Sequence, residues 1–511
     1  MKLRTFAILA AVAAAAIAAL AWYRLVWLQP QAIILITIDT LRADRLSSYG
    51  YKELTTPAID RLAREGVRVD MSYADIPWTT GSMASTLTGM YGHVHGLQLP
   101  WNRLPEKPVT LAEALSADGF KTQAIVSIFS LDSAWNLDQG FDGYNDQMTA
   151  PTFPKFADST VDPVELPESG DLFEFGDEIL EKQRNDAYRR DPETTKIAID
   201  WLRKNHKEKF FLWLHYFGPH ERLMVSLKGV TSRDRIIADY NRDLARADVE
   251  LGKVLAELDV LGLTKKALVV FHSDHGQELG DHGHVGHGRD LYEASTRVPL
   301  IIRYPKRIKG GKTLPMVTRN SDILPTILDF VGITPPEAVT GRSILPYVSQ
   351  RKSLFAARAP EAVPNFLDVR LTPPRIVNIP GGDEYFGSTE MSGVRSGDWK
   401  YIRTTMLQAC TVNPDGYSGG IYKINPDIPL GGMKLSDEEC GAVVLEELYN
   451  VNTGSLSLAA EETNRAAEKP FILNGFSAFV DSRLAERGDA EEFEMTGEQE
   501  DKLKSLGYLE E

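Results

Sequence analysis

The chain has 511 residues, 43% of them hydrophobic, enough to bury a large core and build one big domain with a smaller one beside it. Its 71 acidic and 56 basic side chains leave a net charge of −15, which excludes nucleic acid as the main partner because no basic surplus is available to meet phosphates. A small anionic substrate stays open, since a bound metal inverts the local field.

At the N-terminus, Lys2 and Arg4 precede an Ala-rich apolar run from Phe6 to Tyr23, and Arg24 follows it. As a helix this run would be about 27 Å long, just enough to span a hydrocarbon core. The small residues near Ala19 and Ala21 equally suit a cleaved secretory signal. Residues 1–30 therefore read as a signal peptide or an N-terminal membrane anchor, with Trp22, Tyr23 and Trp27 at interface level favouring the anchor. Either form exports the rest of the chain, to a periplasm or a cell surface. In that oxidising setting Cys410 and Cys440 suggest a bridge, the alternative being two unrelated buried thiols.

Residues 32–38 (AIILITI) form an unbroken, β-branched apolar run that suits a central parallel strand buried on both faces, ending at Asp39. Pro57–Gly66 reads as a helix with Pro at its start and Gly at its end. In residues 77–89 (PWTTGSMASTLTG), Gly and small hydroxyl residues lead into a helix, with Gly89 as its C-cap. Such a stretch delivers a hydroxyl to a helix N-terminus, where the positive end of the dipole favours an anion. A helix over Leu111–Asp118 leads to a strand at Thr122–Ser127. The Pro- and acid-rich stretch 146–192 predicts a surface insertion at a substrate-pocket rim. Helices follow at Glu193–Lys204, Arg235–Leu261 and Ile323–Val331, and strands at Lys209–Leu214, Lys266–Phe271 and Pro299–Arg303. Strands alternating with helices predict an α/β fold with a mostly parallel sheet covered on both faces. Beyond residue 350 the pattern breaks into short pieces such as Trp399–Arg403, the mark of a smaller α+β unit.

The chemistry collects at strand ends. Asp39 ends the first strand, Thr79 lies in the hydroxyl-rich stretch, and Asp274 and His275 follow the strand at 266–271. Each alone reads as turn or cap chemistry. Together, two carboxylates, an imidazole and a hydroxyl compose a tetrahedral divalent-metal site with the hydroxyl as activated ligand and nucleophile. His282, His284 and His287 crowd residues 280–288 (GDHGHVGHG), where glycines on every side argue for a ligand-hugging loop with one or two histidines facing the site. His220, after Gly218 and Pro219, suits proton transfer or anion contact as well as an ordinary loop role.

Several ordered motifs resemble the sulfatase family of the alkaline phosphatase superfamily. Residues 38–50 (IDTLRADRLSSYG) resemble its opening motif, and 79–89 its nucleophile motif, Cys/Ser-x-Pro-Ser-Arg-x-x-Leu-x-Thr-Gly. The stretches 211–220 (FLWLHYFGPH), 271–276 (FHSDHG), 322–329 (DILPTILD), 341–345 and 447–450 resemble later family segments in the same order. The resemblance implies an alkaline-phosphatase-like three-layer α/β/α catalytic domain at 31–348 and a C-terminal subdomain at 349–511. It implies Asp39, Asp274 and His275 as ligands of one divalent metal ion (Zn, Mn or Ca), with Thr79 at the nucleophile position and His220 and His287 as contacts to the ester anion or proton donors to the leaving group.

The departures carry information of their own. Threonine cannot be oxidised to the formylglycine that Cys or Ser yields in sulfatases proper; Gly81 and Met83 replace the motif's Pro and Arg, and Thr40 replaces a second Asp. The expected activity is metal-dependent hydrolysis of a small sulfate or phosphate ester, on a glycan or lipid headgroup, with the threonine favouring phosphate. Alternatives are transfer of a phospho-headgroup onto an envelope glycan or lipid, and a non-catalytic metal-binding envelope protein.

Overall fold

The computed structural model describes residues 28–99, 102–148, 187–220, 232–282, 285–288, 290–349, 365–378, 384–396, 399–408, 442–451, 464–484, 491–492 and 495–505. The N-terminal apolar run, most of the predicted insertion, His284 and both cysteines lie outside the described residues. Within them, no helix is long and apolar enough to cross a membrane.

The central sheet consists of β1 (Ala32–Ile38), β2 (Val67–Tyr73), β3 (Lys121–Ile125), β4 (Gly143–Asn145), β5 (Phe210–Tyr216), β6 (Ala267–His272), β7 (Arg297–Arg303) and β8 (Lys312–Arg319). Their spatial order is β8-β2-β7-β6-β1-β5-β3-β4. The apolar run of β1 is wholly buried between β5 and β6, both parallel to it. Among these strands β7 alone runs antiparallel to its neighbours. The sequence marks none of β2, β4 and β8. In β2, Arg68 and Asp70 alternate with the buried Val67 and Val69, so the apolar signal is diluted by half.

Six helices cover the sheet: α1 (Pro57–Glu65), α2 (Thr79–Thr88), α3 (Leu111–Ala117), α4 (Asp191–Asn205), α5 (Arg233–Val260) and α6 (Ile323–Val331). Successive strand residues point to opposite faces, and β1 sorts them. Ile33 and Leu35 pack with Met83 and Leu87 of α2, Leu115 of α3 and Ile327 of α6. Ile34 and Ile36 pack with Ile59 of α1, Leu202 of α4 and Leu244 and Leu251 of α5. The result is three layers, α/β/α, with each buried Leu or Ile contributing about 1.5–3 kcal/mol.

A second sheet, antiparallel throughout, joins β9 (Asn365–Asn378), β10 (Glu384–Ser396), β11 (Trp399–Gln408) and β12 (Ala442–Asn450). Val394, Tyr401 and Leu448 of this sheet pack against Val480 of α7 (Pro470–Leu484). A buried ionic cluster ties it to the main sheet. Lys400 Nζ lies 3.2 Å from Glu293 Oε1, and Arg395 Nε donates to the Tyr73 hydroxyl at 2.9 Å. That hydroxyl in turn donates to Glu293 Oε2 at 3.0 Å. Burial alone would push the Glu293 carboxyl up, but Lys400 and Arg395 hold it below its ordinary value.

Truncating one member of such a cluster strands the others. Glu293→Gln is expected to lower the unfolding free energy by about 3–5 kcal/mol at pH 7, measured by urea titration. Because Glu293 titrates lower when folded, its contribution is present above the unfolded-state value of 4.5 and fades as the pH falls below it. The gap between wild type and variant should close in acid.

Candidate active site

The carboxyl ends of β1, β5 and β6 converge, as open α/β sheets require of a ligand site. Asp39 follows β1, Asp274 and His275 follow β6, and His220 ends the turn after β5. Thr79 is the first residue of α2, and Gly89 (φ +67°) closes that helix, donating its N–H to Ser85 O. All ten residues of α2 are buried although six are hydroxyl-bearing, because each hydroxyl finds a partner. Thr80 bonds to Ser130 O, Ser82 to Asp274 O, Ser85 to Gly81 O, Thr86 to Ser82 O and Thr88 to Ala84 O. Thr79 Oγ1 is 3.1 Å from His275 Nε2.

Ligand atoms of Asp39, Asp274 and His275 all lie within 4.8 Å of one another, and the three residues are fully buried. His275 Nε2 stands 3.6 Å from Asp39 Oδ1 and 3.5 Å from Asp274 Oδ2. His275 Nδ1 faces the Gly276 carbonyl at 2.8 Å, an acceptor, so Nδ1 carries the proton and Nε2 turns its lone pair to the cluster. Both Asp39 oxygens and Asp274 Oδ2 are buried without a hydrogen bond. Burial first, then the Asp274 and Asp191 carboxylates, push Asp39 well above its ordinary value. A divalent cation fits these residues: orphaned carboxylate oxygens and one imidazole lone pair are its ordinary donors, and their repulsion needs a positive charge.

His220 and His287 join this cluster. The His287 ring is 4.4 Å from that of His275 and 5.2 Å from that of His220. Gln277 Oε1 holds His287 Nδ1 at 2.9 Å. Arg42 steadies the loop beneath, donating to Gln277 O at 3.0 Å and Asp281 Oδ2 at 2.5 Å. Burial would raise the Asp281 carboxyl; Arg42 and Arg233 bring it down to about 2. His220 stacks on Phe217 at 4.8 Å, and neither of its ring nitrogens has a hydrogen-bond partner. Burial, and next the neighbouring His275, push it down to about 3. His282 turns away from the site: its Nδ1 pairs with Glu278 Oε1 at 2.9 Å and its ring stacks on Tyr292 at 3.9 Å.

The departures from the family motif have local reasons. A Cβ on Gly81 would stand 3.0 Å from both Trp78 Cε2 and Ile76 Cδ1, where a proline ring finds side chains already in place. Met83 is buried with its sulfur 4.0 Å from Thr37 Oγ1. Thr37 also meets His272 Nε2 at 2.9 Å and Trp213 Nε1 at 3.2 Å, and register sets His215 across from it. Burial pushes His215 down to about 3 and His272 to about 4, so this row beneath α2 is polar and uncharged. Thr40 adopts φ +56°, an outlier for a β-branched residue, with its N–H on Asp274 Oδ1 at 3.2 Å and its carbonyl accepting from the Tyr240 hydroxyl at 2.8 Å. Sequence reading passed over His215, Gln277 and Asn320. For His215, a polar residue inside a buried strand was the available signal; Gln277 and Asn320 carried none.

Residues 31–333, more than half of the chain, match the family model described as Sulfatase. An arylsulfatase of Clostridium perfringens is 28% identical, covering 79% of this chain and 98% of its own. An N-acetylglucosamine-6-O-sulfatase of Bacteroides thetaiotaomicron is 25% identical, covering 61% of this chain and 70% of its own. The solved structure of a 2-O GAG sulfatase superposes with a TM-score of 0.64 at 19% identity over 89% of this chain and 92% of that one, a likeness of fold.

Two outcomes test the buried cluster. Asp39→Asn removes a repelled carboxylate, so the chelator-treated variant should melt above chelator-treated wild type. Saturating divalent metal at about 100 times Kd should stabilise wild type by about 2.7 kcal/mol and leave the variant unmoved, read by differential scanning calorimetry. In NMR spectra of the ester-free protein, the His215 and His220 Cε1–H signals should keep their neutral-form positions from pH 8 to pH 5.

Proposed function

The chain belongs to the sulfatase family, enzymes that hydrolyse sulfuric esters, and from that premise we propose that Thr79 is its nucleophile and that Asp39, Asp274 and His275 hold a divalent metal ion. The observation that carries the reading is the Thr79 hydroxyl, 3.1 Å from His275 inside a buried cluster of two carboxylates, three of whose four oxygens lack a hydrogen bond. Bound there, the cation supplies the positive charge that lowers the pKa of a neighbouring hydroxyl and opposes charge on the ester oxygens. The N-terminus of α2, at Thr79 itself, adds its dipole on the same side.

In the reaction, Thr79 Oγ1 gives its proton to His220 or His287 and forms a bond to sulfur while the bond from sulfur to the ester oxygen breaks. The departing oxygen takes a proton from His220 or His287, the two imidazoles beside the cluster. An arriving anionic ester raises the pKa of His220 from its buried, neutral resting state, so substrate binding itself arms the acid. Water then attacks sulfur, one of its protons going to Thr79 Oγ1 as the bond from that oxygen to sulfur breaks, and hydrogen sulfate leaves. The substrate is a small sulfate ester, with a sulfated sugar supported by the relative that acts on N-acetylglucosamine-6-O-sulfate. Turnover of phosphate or phosphonate esters is the second reading, favoured by the threonine itself, since a sulfated threonine lacks the extra hydroxyl that eases release from a formylglycine hydrate. Family and relatives do not favour headgroup transfer or a non-catalytic role.

An ester panel decides among these. Aryl sulfate, a 6-O-sulfated amino sugar, phosphate diester and phosphonate monoester would be assayed with Zn, Mn or Ca added, beside Thr79→Ala. Sulfate turnover that falls by about 10⁴-fold or more in the variant is the expected result. Turnover that survives the substitution would remove Thr79 from the nucleophile role.

A further inference from the structure

The short 3-10 turn Asn320–Asp322 joins β8 to α6, and Asn320 is fully buried in it. Its amide nitrogen donates to Asp274 O at 2.8 Å and Ser273 O at 3.0 Å, and lies 3.2 Å from Ser82 Oγ. With two hydrogens for three acceptors, at least one bond is shared, as in a tightly gathered junction. Ser82 closes the triangle by donating its own hydroxyl to Asp274 O at 2.6 Å. The next residue reaches the other side of the nucleophile: Ser321 N–H and Oγ donate to the two oxygens of Asp75 at 2.8 and 2.9 Å. Asp75 is buried and lies four residues before Thr79 in the chain.

These contacts make a closed ring. It runs from Asp75 along the loop to Thr79, down α2 to Ser82, across to the Asp274 carbonyl, and back through Asn320 and Ser321. Thr79 is thus flanked by two tied residues, Asp75 bonded to Ser321 and Ser82 bonded with Asn320 to the Asp274 carbonyl. We propose that Asn320 is a positioning residue that locks the Asp274 backbone to the nucleophile helix and so fixes the Thr79 hydroxyl against the Asp39–Asp274–His275 cluster. The inference rests on the reading of that cluster as the reactive centre. Asn320 bonds to carbonyls and a hydroxyl, never to the reacting groups, so its removal shifts geometry and leaves ester contacts in place. Misplacement of this kind costs rate without costing substrate affinity.

The test uses the full chain carrying Asn320→Ala, Ser82→Ala, both together, and Thr79→Ala as reference. Mn²⁺ is titrated into chelator-treated protein, and kcat and KM are measured on an aryl sulfate. Asn320→Ala should lose about 10–100-fold in kcat and in Mn²⁺ affinity, with KM held within about twofold. Ser82→Ala should move the same two quantities in the same direction. The double variant should lose no more than the worse single one, because both side chains serve one junction. A folded Asn320→Ala protein with unchanged kcat and Mn²⁺ affinity overturns the inference. Should that variant fail to fold, an unchanged Ser82→Ala overturns it instead. Turnover that survives Thr79→Ala overturns only the reading of the centre, and lost Mn²⁺ affinity in Asn320→Ala would still support the lock.

Discussion

Two carboxylates buried together, with three of their four oxygens lacking any hydrogen bond, set the terms for this molecule. Taking one such charge out of water costs several kcal/mol, and a second beside it adds repulsion. A fold tolerates this only where rigid elements forbid the pair to separate. Here two paired central strands supply them: β1, apolar and buried along its whole length, and β6, hydrogen-bonded directly to it. The helices on both faces serve the same end, since they hold the strand ends in place while leaving the space beyond them to a ligand.

Charge bookkeeping around that pair follows a pattern. The family motif's arginine and second aspartate are both missing, replaced by Met83 and Thr40, so one positive and one negative side chain leave together. What remains beneath α2 is a row of neutral partners, His215, Thr37 and His272, in register across three neighbouring strands. Burial keeps both imidazoles uncharged. The concentrated charge is confined to the rim above, at the Asp39–Asp274–His275 cluster proposed to meet a cation and an anionic ester.

The α/β/α architecture was legible because long apolar strands and amphipathic helices announce themselves through their periods. Helix Ile323–Val331 agrees residue for residue with its sequence reading, and β1 does as well. The central-sheet strands missed, β2, β4 and β8, alternate polar with apolar residues or lie at the sheet edge, where half the pattern faces water. Within the site, Asp39, Thr79, Asp274, His275, His220 and His287 stood out because strand-end acids, histidines and glycines are conspicuous, and these six come together. Asn320 and Gln277 did not stand out. Each works through one carbonyl or imidazole of a neighbour brought close only by folding, and no local pattern encodes such a partner.

The buried contact between Glu293 and the pair Lys400 and Arg395 has a consequence for how the molecule comes apart. Peeling β10 and β11 from the main sheet would leave a carboxylate in a dry crevice and two cations without their partner, a state more costly than full hydration of all three. Local detachment therefore carries a cost that the buried ionic cluster imposes. Glu293 also sits in the short helix whose Ala294 and Ser295 carbonyls accept the N–H groups of Gln277 and Gly276, immediately after His275. Loosening at the far sheet would thus be felt at the loop that carries Asp274 and His275, which ties the C-terminal strands to the rigidity of that buried cluster.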